Sequence, residues 1–311
     1  MPRDVQYKKT GFSQLDKINI KIRLKNFILP NSSIVSVERI YSGNVNRNFK
    51  IITEQGDFFC KIAPLWYSHS LRREAWALKH LKRIGCYVPN VIRYFDADNK
   101  VIPGHEILIL EYIDGVILAE IQRKNKFYKK IIDLYNNIHS VKLKRYGWLN
   151  KSFIGSNKAW KDFLLKIENE ESIRKISDAW SKNVDFVQRE INNFSYNIKS
   201  GRLLYGDFNY YNFIINQKNV LIAFDFQNCF SGDPLYDVGM ILSKDIGFLK
   251  YLHHFSGFNP VNRENTRKIV FLYGLRHLLS MLSFYIDTDN KERILFINKR
   301  FLAIKKIYEK Y

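Results

Sequence analysis

Three oxygen-bearing side chains interrupt apolar sequence in the second half of the chain. Asp207 follows one apolar run, Asn212 comes five residues later, and Asp225 ends a second run, Leu-Ile-Ala-Phe. Apolar runs broken by turn residues predict a strand-turn-strand unit, which would bring the three side chains to one mouth. Carboxylate and amide oxygens suit Mg²⁺, which binds one or two carboxylates together with substrate phosphates. The spacing therefore indicates phosphoryl transfer, in which another carboxylate orients an alcohol and accepts its proton.

Taken singly, each of these residues also has a structural explanation. Gly-Asp pairs and Asn are common in turns, so Asp207 alone would be interpreted as a turn aspartate. The combination of Asp207, Asn212 and Asp225 in this strand context is far more specific, and it favours chemistry over turn formation.

A lysine interrupts an apolar strand predicted nearer the N-terminus. Lys61 lies in the run Phe-Phe-Cys-Lys-Ile, where its ammonium group needs a partner. Glu74 on the following predicted helix is the expected partner, with the phosphates of a nucleotide as the other. The alternatives are an edge-strand lysine that faces water and a surface acid on the helix.

The ordered set of residues resembles the aminoglycoside phosphotransferase and choline kinase-like family, which is related to the protein kinases. That family carries His-Gly-Asp-x-x-x-x-Asn and then an apolar strand ending in Asp. This chain has Tyr-Gly-Asp-Phe-Asn-Tyr-Tyr-Asn at 205–212 and Phe-Asp-Phe at 224–226. The run Gly-Asp-Pro-Leu-Tyr-Asp-Val at 232–238 looks like the family's G-D-P-x-x-D-[LV] segment. The resemblance covers roughly residues 34–245.

The resemblance implies a role for each residue that matches the motif. Asp207 is then the catalytic base, and Asn212 and Asp225 bind Mg²⁺. Asp233 and Asp237 are expected to be structural, with Asp233 capping the helix that begins at the next residues.

The resemblance also implies contacts with ATP or GTP as the phosphoryl donor. A loop with one glycine joins two predicted strands where the family has its phosphate loop, and its backbone N–H groups could face the triphosphate. Residues 111–115 look like the hinge, where adenine would bond to the backbone. The residues expected at the nucleotide are Ser42, Gly43, Asn46, Lys61, Glu74, Glu111 and Ile113.

Two residues depart from the family pattern. Tyr205 stands where the family usually has His, a scaffold position that an aromatic ring with a polar tip could fill. Gln227 stands where relatives often have an acid, which would weaken a second metal site without removing the first.

The predicted elements divide the 311-residue chain into two lobes. Strands are predicted at 33–41, 48–53, 57–63 and 107–112, with one helix at 68–84. Most of the later sequence has helical spacing. We therefore expect a bilobal, protein-kinase-like α+β fold, with a basic extension (1–32), a small antiparallel β lobe (33–112) and a larger, mostly helical lobe (113–311).

Composition restricts the partners and the compartment. Fifty Lys and Arg against thirty Asp and Glu give a net charge of +20, which favours anionic partners. The basic residues are spread along the chain and form no nucleic-acid motif, so nucleic-acid binding is not expected. The three cysteines are scattered, which excludes a disulfide framework, and neither a signal peptide nor a membrane helix is predicted. The expected location is the cytoplasm.

The charge of one segment is the sequence feature that bears on the identity of the acceptor alcohol. Residues 162–190 contain seven acids against five bases, and a relatively acidic wall would suit an aminoglycoside. Solvated helix faces are the alternative explanation of the same residues. An antibiotic-resistance kinase is therefore the first hypothesis, and a kinase for choline, a sugar or an amino alcohol is the second. A non-catalytic nucleotide- or nucleic-acid-binding protein is the third.

Overall fold

The computed structural model describes residues 33–40, 45–63, 70–194, 198 and 200–311, which form two compact units. The β-rich unit combines the described residues up to Gln122 with Asn209–Asn228. The helix-rich unit combines Arg123–Phe208 with Cys229–Tyr311. The predicted N-terminal extension lies outside the described residues. The lobe boundaries expected from the sequence, after residues 32 and 112, stay predictions.

Five antiparallel strands form the main sheet of the β-rich unit, in the order β1-β2-β3-β5-β4. They are β1 (Ile34–Ile40), β2 (Arg47–Thr53), β3 (Gly56–Ile62), β4 (Val91–Phe95) and β5 (Ile107–Glu111). Each predicted strand of this lobe is present within a residue or two. Short runs rich in Val, Ile and Phe, broken at turn residues, explain this agreement, because such runs are typical of strands. The buried face of the sheet includes Phe49, Ile51, Cys60, Ile62, Ile107 and Ile109.

The predicted helix of the β-rich unit is α1 (Ser70–Arg83). Its apolar stripe, Leu71, Ala75, Leu78 and Leu81, is buried as expected. Gly85 follows with φ +85°, a conformation that favours glycine, and its N–H donates to the carbonyl of Lys82 at 3.1 Å. This glycine therefore ends the helix, as predicted.

A second, three-stranded sheet of the same unit contains the predicted metal ligands. Its strands are β6 (Val116–Ile117), β11 (Phe213–Ile215) and β12 (Leu221–Ala223), in the order β12-β11-β6. Phe213 pairs with Ala223 in antiparallel register. Asn212 comes just before β11 and Asp225 shortly after β12, so both lie at one end of this hairpin.

The helix-rich unit contains an antiparallel sheet that the sequence did not predict in this form. Its strands, β7 (Lys142–Leu143), β8 (Tyr146–Leu149), β9 (Gly155–Asn157), β10 (Gly201–Leu204) and β13 (Phe230–Gly232), lie in the order β7-β10-β13-β8-β9. The predicted hairpin across residues 203–216 is wrong, because β10 pairs with β7 and β13 whereas β11 pairs with β12 and β6. Asp207 therefore lies on a connection between two sheets.

Seven α-helices of the described residues complete the helix-rich unit. They are α2 (Tyr128–Ser140), α3 (Trp160–Leu165), α4 (Glu170–Arg174), α5 (Asp178–Asn193), α6 (Pro234–Lys244), α7 (Arg263–Asp287) and α8 (Lys291–Tyr308). Two 3₁₀ turns, Leu118–Glu120 and Lys124–Phe127, precede α2. An apolar stripe on α8 faces the core, with Ile297, Phe301, Ile304 and Tyr308 buried.

α7 is long and apolar enough to cross a membrane, with a mean hydropathy of 1.5 over its most apolar window. Polar residues such as Arg276 and His277 interrupt its apolar sequence, in line with the expectation of no membrane helix. Within the protein, 67% of that window is buried. This burial identifies α7 as a core helix of the helix-rich unit.

Candidate active site

Lys61 on β3 is the centre of a buried ionic cluster in the β-rich unit. Its Nζ donates to both carboxylate oxygens of Glu74, at 2.8 and 2.9 Å, and to Asp225 Oδ1 at 3.0 Å. The Lys61 and Glu74 side chains are 4% and 0% exposed, whereas that of Asp225 is 34% exposed. The expected contact between Lys61 and Glu74 is therefore present, and Asp225 joins it.

Glu74 also holds the backbone at Asp225. It lies on the buried face of α1, where Oε1 accepts the backbone N–H of Asp225 at 3.1 Å. The backbone N–H of Phe226 donates to the same carboxylate. One buried acid thus joins a strand, a helix and the segment after β12.

The charge of Lys61 is maintained although the side chain is buried. Burial disfavours the ammonium form, but the nearby carboxylates of Asp225 and Glu74 outweigh it and raise the pKa of Lys61 above its ordinary value. The lysine is therefore a fixed positive charge at neutral pH, as phosphate binding requires.

Asn212 and Asp225 offer oxygen atoms at one end of the hairpin of β11 and β12. The backbone N–H of Phe224 donates to the carbonyl of Asn212 at 3.1 Å, which continues the pairing of the two strands. Asp225 has φ +67°, and this left-handed turn directs its N–H to Glu74 while its carboxylate meets Lys61. An amide and a half-exposed carboxylate fit Mg²⁺ that is completed by phosphate oxygens.

No group of three or more His, Cys, Asp or Glu side chains suited to a metal occurs in the described parts of the chain. A magnesium site of the phosphoryl-transfer type does not need one, because phosphates and water supply most ligands.

The other residues expected at the nucleotide lie in the β-rich unit or outside the described residues. Asn46 precedes β2 and is 8% exposed, and its Oδ1 has no hydrogen-bond partner among the described residues. Glu111 ends β5, and its side chain accepts from the backbone and amide of Asn90. Ile113 follows in the connecting segment. Ser42 and Gly43 are not among the described residues, and the nucleotide contacts stay predictions.

Asp207 belongs to the helix-rich unit, where a lysine accompanies it. Lys244 at the end of α6 has its Nζ 3.8 Å from Asp207 Oδ1 and donates to the carbonyl of Phe208 at 2.6 Å. The Asp207 and Lys244 side chains are 31% and 24% exposed. The carboxylate is therefore accessible to a small molecule.

A buried carboxylate fixes the backbone that leads to Asp207. Asp237 accepts the N–H of Tyr205 at 2.8 Å and the N–H of Gly206 at 3.1 Å. His139 contacts the same carboxylate through Nε2 at 2.9 Å. Tyr205, which replaces the family's histidine, is fully buried with its ring edge-on to Tyr135. The aromatic replacement therefore acts as a scaffold residue.

We expect Asp237→Asn to destabilise the helix-rich unit by about 1–3 kcal/mol, because an amide NH₂ would face backbone donors that are then left unsatisfied. Chemical denaturation measures this change. Asp133→Asn, which changes an exposed acid on α2, is the control and should change stability by less than about 0.5 kcal/mol. Equal stability of Asp237→Asn and wild type would contradict the anchoring role of Asp237.

Asp233 caps α6, as the sequence predicted. Its Oδ1 accepts the N–H of Leu235 at 3.0 Å, and its Oδ2 accepts from the hydroxyl of Tyr273 at 2.8 Å. Burial raises the pKa of Asp233. Both contacts are structural, in line with the expectation that this acid is not catalytic.

The acids at 162–190 are largely paired with bases of the same segment. Arg174 contacts Glu170 and Asp185, at 2.8 and 2.7 Å. Lys175 contacts Glu171 at 2.5 Å, and Arg189 contacts Glu190 at 3.2 Å. This arrangement corresponds to solvated helix faces, the alternative to an acidic wall.

The helix-rich unit also contains a cavity of about 620 Å³, which Asp233 helps to line. Residues at the end of α2 and the starts of α6 and α7 line it, and they include His139, Arg202 and Asn262. None of the predicted site residues lines this cavity.

Sequence reasoning missed Lys244 and His139. Lys244 is far from Asp207 along the chain, and a lysine at a helix end has an ordinary surface explanation. His139 lies on an apolar helix face. No spacing rule connects either residue to the motif, because their contacts depend on how helices pack.

The two units carry an α+β fold and a buried Lys–Glu–Asp cluster that define a kinase-like phosphotransferase. The family model of the APH phosphotransferase enzyme family matches residues 36–264. The chain belongs to this family, and the predictions of the family and of a small-molecule kinase are confirmed. No curated protein sequence matches the chain.

Solved structures share the fold at low sequence identity. A thermostable variant of aminoglycoside phosphotransferase APH(4)-Ia, in a ternary complex with AMP-PNP and hygromycin B, is 15% identical with a TM-score of 0.74, covering 92% of this chain and 97% of that one. A Haemophilus somnus 129PT protein assigned as a fructosamine-3-kinase is 19% identical with a TM-score of 0.65, covering 92% and 96%.

A mutant of aminoglycoside 2′-phosphotransferase-IIIa, in complex with GDP, is 16% identical. Its TM-score is 0.67, and the match covers 94% of this chain and 98% of that one. The predicted kinase-like fold, with an antiparallel β lobe and a helical lobe, is confirmed.

Proposed function

We propose that the protein transfers the γ-phosphoryl group of ATP or GTP, in a Mg²⁺-dependent reaction, to a hydroxyl group of a small molecule. The single observation that carries this proposal is the buried cluster in which Lys61 contacts both Glu74 and Asp225. Kinase-type phosphoryl transfer requires a lysine that is paired with an acid in this way, because the lysine positions the phosphates.

The residues of the β-rich unit would bind the nucleotide. Lys61 contacts the α- and β-phosphates, and Glu74 keeps the ammonium group oriented. Asn212 and Asp225 would hold Mg²⁺, which neutralises charge on the phosphates. Asn46 would contact the phosphates, and Ser42 and Gly43 stay the other loop residues that the family resemblance implies there.

Adenine or guanine would bond to the backbone of the hinge. Glu111 and Ile113 are the residues expected there. The Glu111 side chain is engaged with Asn90, which leaves the backbone as the recognition element.

Asp207 is the proposed base of the transfer. Its carboxylate accepts the hydroxyl proton as the alcohol oxygen forms a bond to the γ-phosphorus. The bond from that phosphorus to the bridging oxygen breaks, and the nucleoside diphosphate leaves with the electron pair. A carboxylate used in this way acts mainly by orienting the alcohol, since positioning dominates phosphoryl transfer.

Two acceptor classes follow from the family and the related structures. Hygromycin B accompanies one related structure, which supports an aminoglycoside-like antibiotic and a role in antibiotic resistance. The fructosamine-3-kinase assignment of another supports a metabolite alcohol as the alternative. A reaction that consumes ATP or GTP fits the expected cytoplasmic location. A nucleotide-consumption screen across aminoglycosides, sugars and amino alcohols separates the two classes.

The metal role of Asp225 is tested by Asp225→Asn. Asparagine tolerates the left-handed backbone better than alanine, so the fold at this residue is kept. We expect Mg²⁺-dependent nucleotide affinity to fall by about ten-fold or more, because a charged ligand is lost. Calorimetric titration of the nucleotide with and without Mg²⁺ measures the change.

Asp98→Asn changes an exposed acid of the same unit and serves as the control. Its affinity should equal that of wild type at each Mg²⁺ concentration. Unchanged Mg²⁺ dependence in Asp225→Asn would refute the metal role.

A further inference from the structure

Lys244 accompanies Asp207 within the helix-rich unit. Lys244 Nζ lies 3.8 Å from Asp207 Oδ1. Arg300 on α8 donates to the backbone carbonyl of Lys244 at 3.0 Å. Arg293 on the same helix acts on Lys244 as a like charge. The proposed base thus has one basic side chain, Lys244, beside it, and Arg300 adjoins the backbone of that lysine.

The Lys244 ammonium is held in place yet incompletely compensated. Its Nζ donates to the carbonyl of Phe208, next to Asp207, and this bond fixes its position. Burial lowers the pKa of Lys244, Arg293 acts in the same direction, and Asp207 opposes both. An anionic group of a bound molecule would supply the missing compensation.

His277 on α7 adds a polar group without a partner. The residue is 9% exposed, and its Nε2 has no hydrogen-bond partner among the described residues. Burial, with the charges of Lys244 and Arg276, holds the pKa of His277 well below its ordinary value, so the ring is neutral. A Cβ at Gly274, one helical turn before His277, would lie 3.8 Å from the Cβ of Ser243, the neighbour of Lys244. The unpartnered imidazole nitrogen therefore lies on the part of α7 that adjoins the end of α6, and a polar group of a ligand would satisfy it.

Close packing of two helices fixes Lys244 relative to His277. A Cβ at Gly239 on α6 would lie 2.5 Å from the carbonyl of Val270 and 2.7 Å from the N–H of Gly274, both on α7. Only glycine permits this approach. The helix that ends at Lys244 and the helix that carries His277 are therefore held in one arrangement, as a binding site needs.

Four of the seven acids at 162–190, which a cationic acceptor would be expected to contact, are already in ion pairs. The acids at 170, 171, 185 and 190 are in ion pairs with Arg174, Lys175 and Arg189. An acceptor with an ammonium group next to its reactive hydroxyl would instead meet Lys244 and be repelled.

We propose that the acceptor is an alcohol that also carries an anionic group, a carboxylate or a phosphate, and that Lys244 recognises this group. The hydroxyl then meets Asp207 while His277 Nε2 hydrogen-bonds a polar atom of the same molecule. This inference rests on the proposed function, because it takes Asp207 as the base. It makes Lys244 a specificity-determining residue and favours the metabolite class of acceptor over aminoglycosides.

The test compares three-carbon alcohols that differ in charge. Glycerol 3-phosphate and glycerate are anionic, glycerol is neutral and serinol is cationic, and hygromycin B adds a polycation. Each is titrated into the full-length protein with Mg²⁺ and AMP-PNP, and turnover is measured with Mg²⁺ and ATP or GTP. We expect at least one anion to bind and react about ten-fold better than glycerol, with serinol worse.

Variants of Lys244 assign the preference to this residue. Lys244→Gln keeps a donor for the Phe208 carbonyl, and we expect the anion-to-glycerol ratio of kcat/KM to fall about ten-fold. Lys244→Arg should keep that ratio. Lys306→Gln, which changes an exposed lysine on α8, should leave it unchanged. Arg293→Gln should lower the anion-to-glycerol ratio of kcat/KM about two- to three-fold. This variant tests the inference if Lys244→Gln fails to fold.

Three results would overturn the inference. In the first, the wild type prefers serinol or hygromycin B. In the second, neither anion binds better than glycerol. In the third, Lys244→Gln lowers kcat/KM equally for all acceptors. An equal loss of kcat/KM for all acceptors would mean that Lys244 binds the transferred phosphoryl group and not the acceptor. Failure of the proposed function looks different, because the wild type would then show no Mg²⁺-dependent nucleotide turnover, with water or any alcohol as acceptor.

Discussion

Asp207→Asn is expected to reduce phosphoryl transfer by about 10²–10⁴-fold while the nucleotide binds as in wild type. The amide has the size of the carboxylate but cannot accept the hydroxyl proton or orient the alcohol with a negative charge. The residues proposed to bind the nucleotide and Mg²⁺, Lys61, Asn212 and Asp225, belong to the β-rich unit, and the substitution changes none of them. Single-turnover rates with saturating acceptor, together with nucleotide titration, separate the two effects.

The control for Asp207→Asn is Asp133→Asn, an exposed acid on α2 of the same unit. It should keep the wild-type rate, which shows that removal of a carboxylate from this unit is harmless in itself. A rate of Asp207→Asn within a few-fold of wild type would remove Asp207 from the reaction. A joint loss of rate and nucleotide affinity would indicate a structural role for this residue.

The β-rich unit was largely predictable because its sequence signals are local. Short apolar runs bounded by turn residues indicated β2 and β3, apolar composition indicated β5, and Gly85 marked the end of α1. The prediction that Lys61 needs Glu74 used only one additional rule, that a buried ammonium group needs a partner. Rules that apply to one strand or one helix at a time were therefore enough to predict most of this unit.

The region around Asp207 was predicted less well because strand pairing is not local. β10 is followed by the Gly-Asp motif and then by β11, which suggests a hairpin, yet the two strands join different sheets. β10 gains its partners from β7 and β13, which are remote in sequence. Periodicity reports that a segment is a strand but not which strand it pairs with.

The residues that surround the base were also out of reach of the sequence. Lys244, His277 and Arg300 approach Asp207 or one another through the packing of α6, α7 and α8. Their spacing follows no motif, and each has an ordinary explanation on its own helix. The family motif therefore identifies the class of reaction, whereas the contacts of Lys244 depend on helix packing, which motifs do not report.

Lys61→Met is expected to destabilise the β-rich unit by about 3–5 kcal/mol, because it leaves the Glu74 carboxylate buried without its cation. Glu74 has no exposed side-chain surface, so water cannot replace the ammonium group. Hydrogen exchange at α1 and at residues 224–226 reports this loss locally, since Glu74 also holds the Asp225 backbone. Lys79→Met, an exposed lysine of the same helix, is the control, with a change below about 0.5 kcal/mol.

The double variant Lys61→Met with Glu74→Gln separates the stability of the pair from its function. Removal of both charges takes away the unpaired carboxylate, so most of the lost stability should return, as buried ion pairs are commonly replaceable by neutral groups. Nucleotide turnover should not return, because the phosphates still lack the Lys61 ammonium group. If the double variant recovered both stability and turnover, Lys61 would be a structural partner of Glu74 alone. If the protein stayed unstable, the stability would depend on the contact of Lys61 with Asp225 as well.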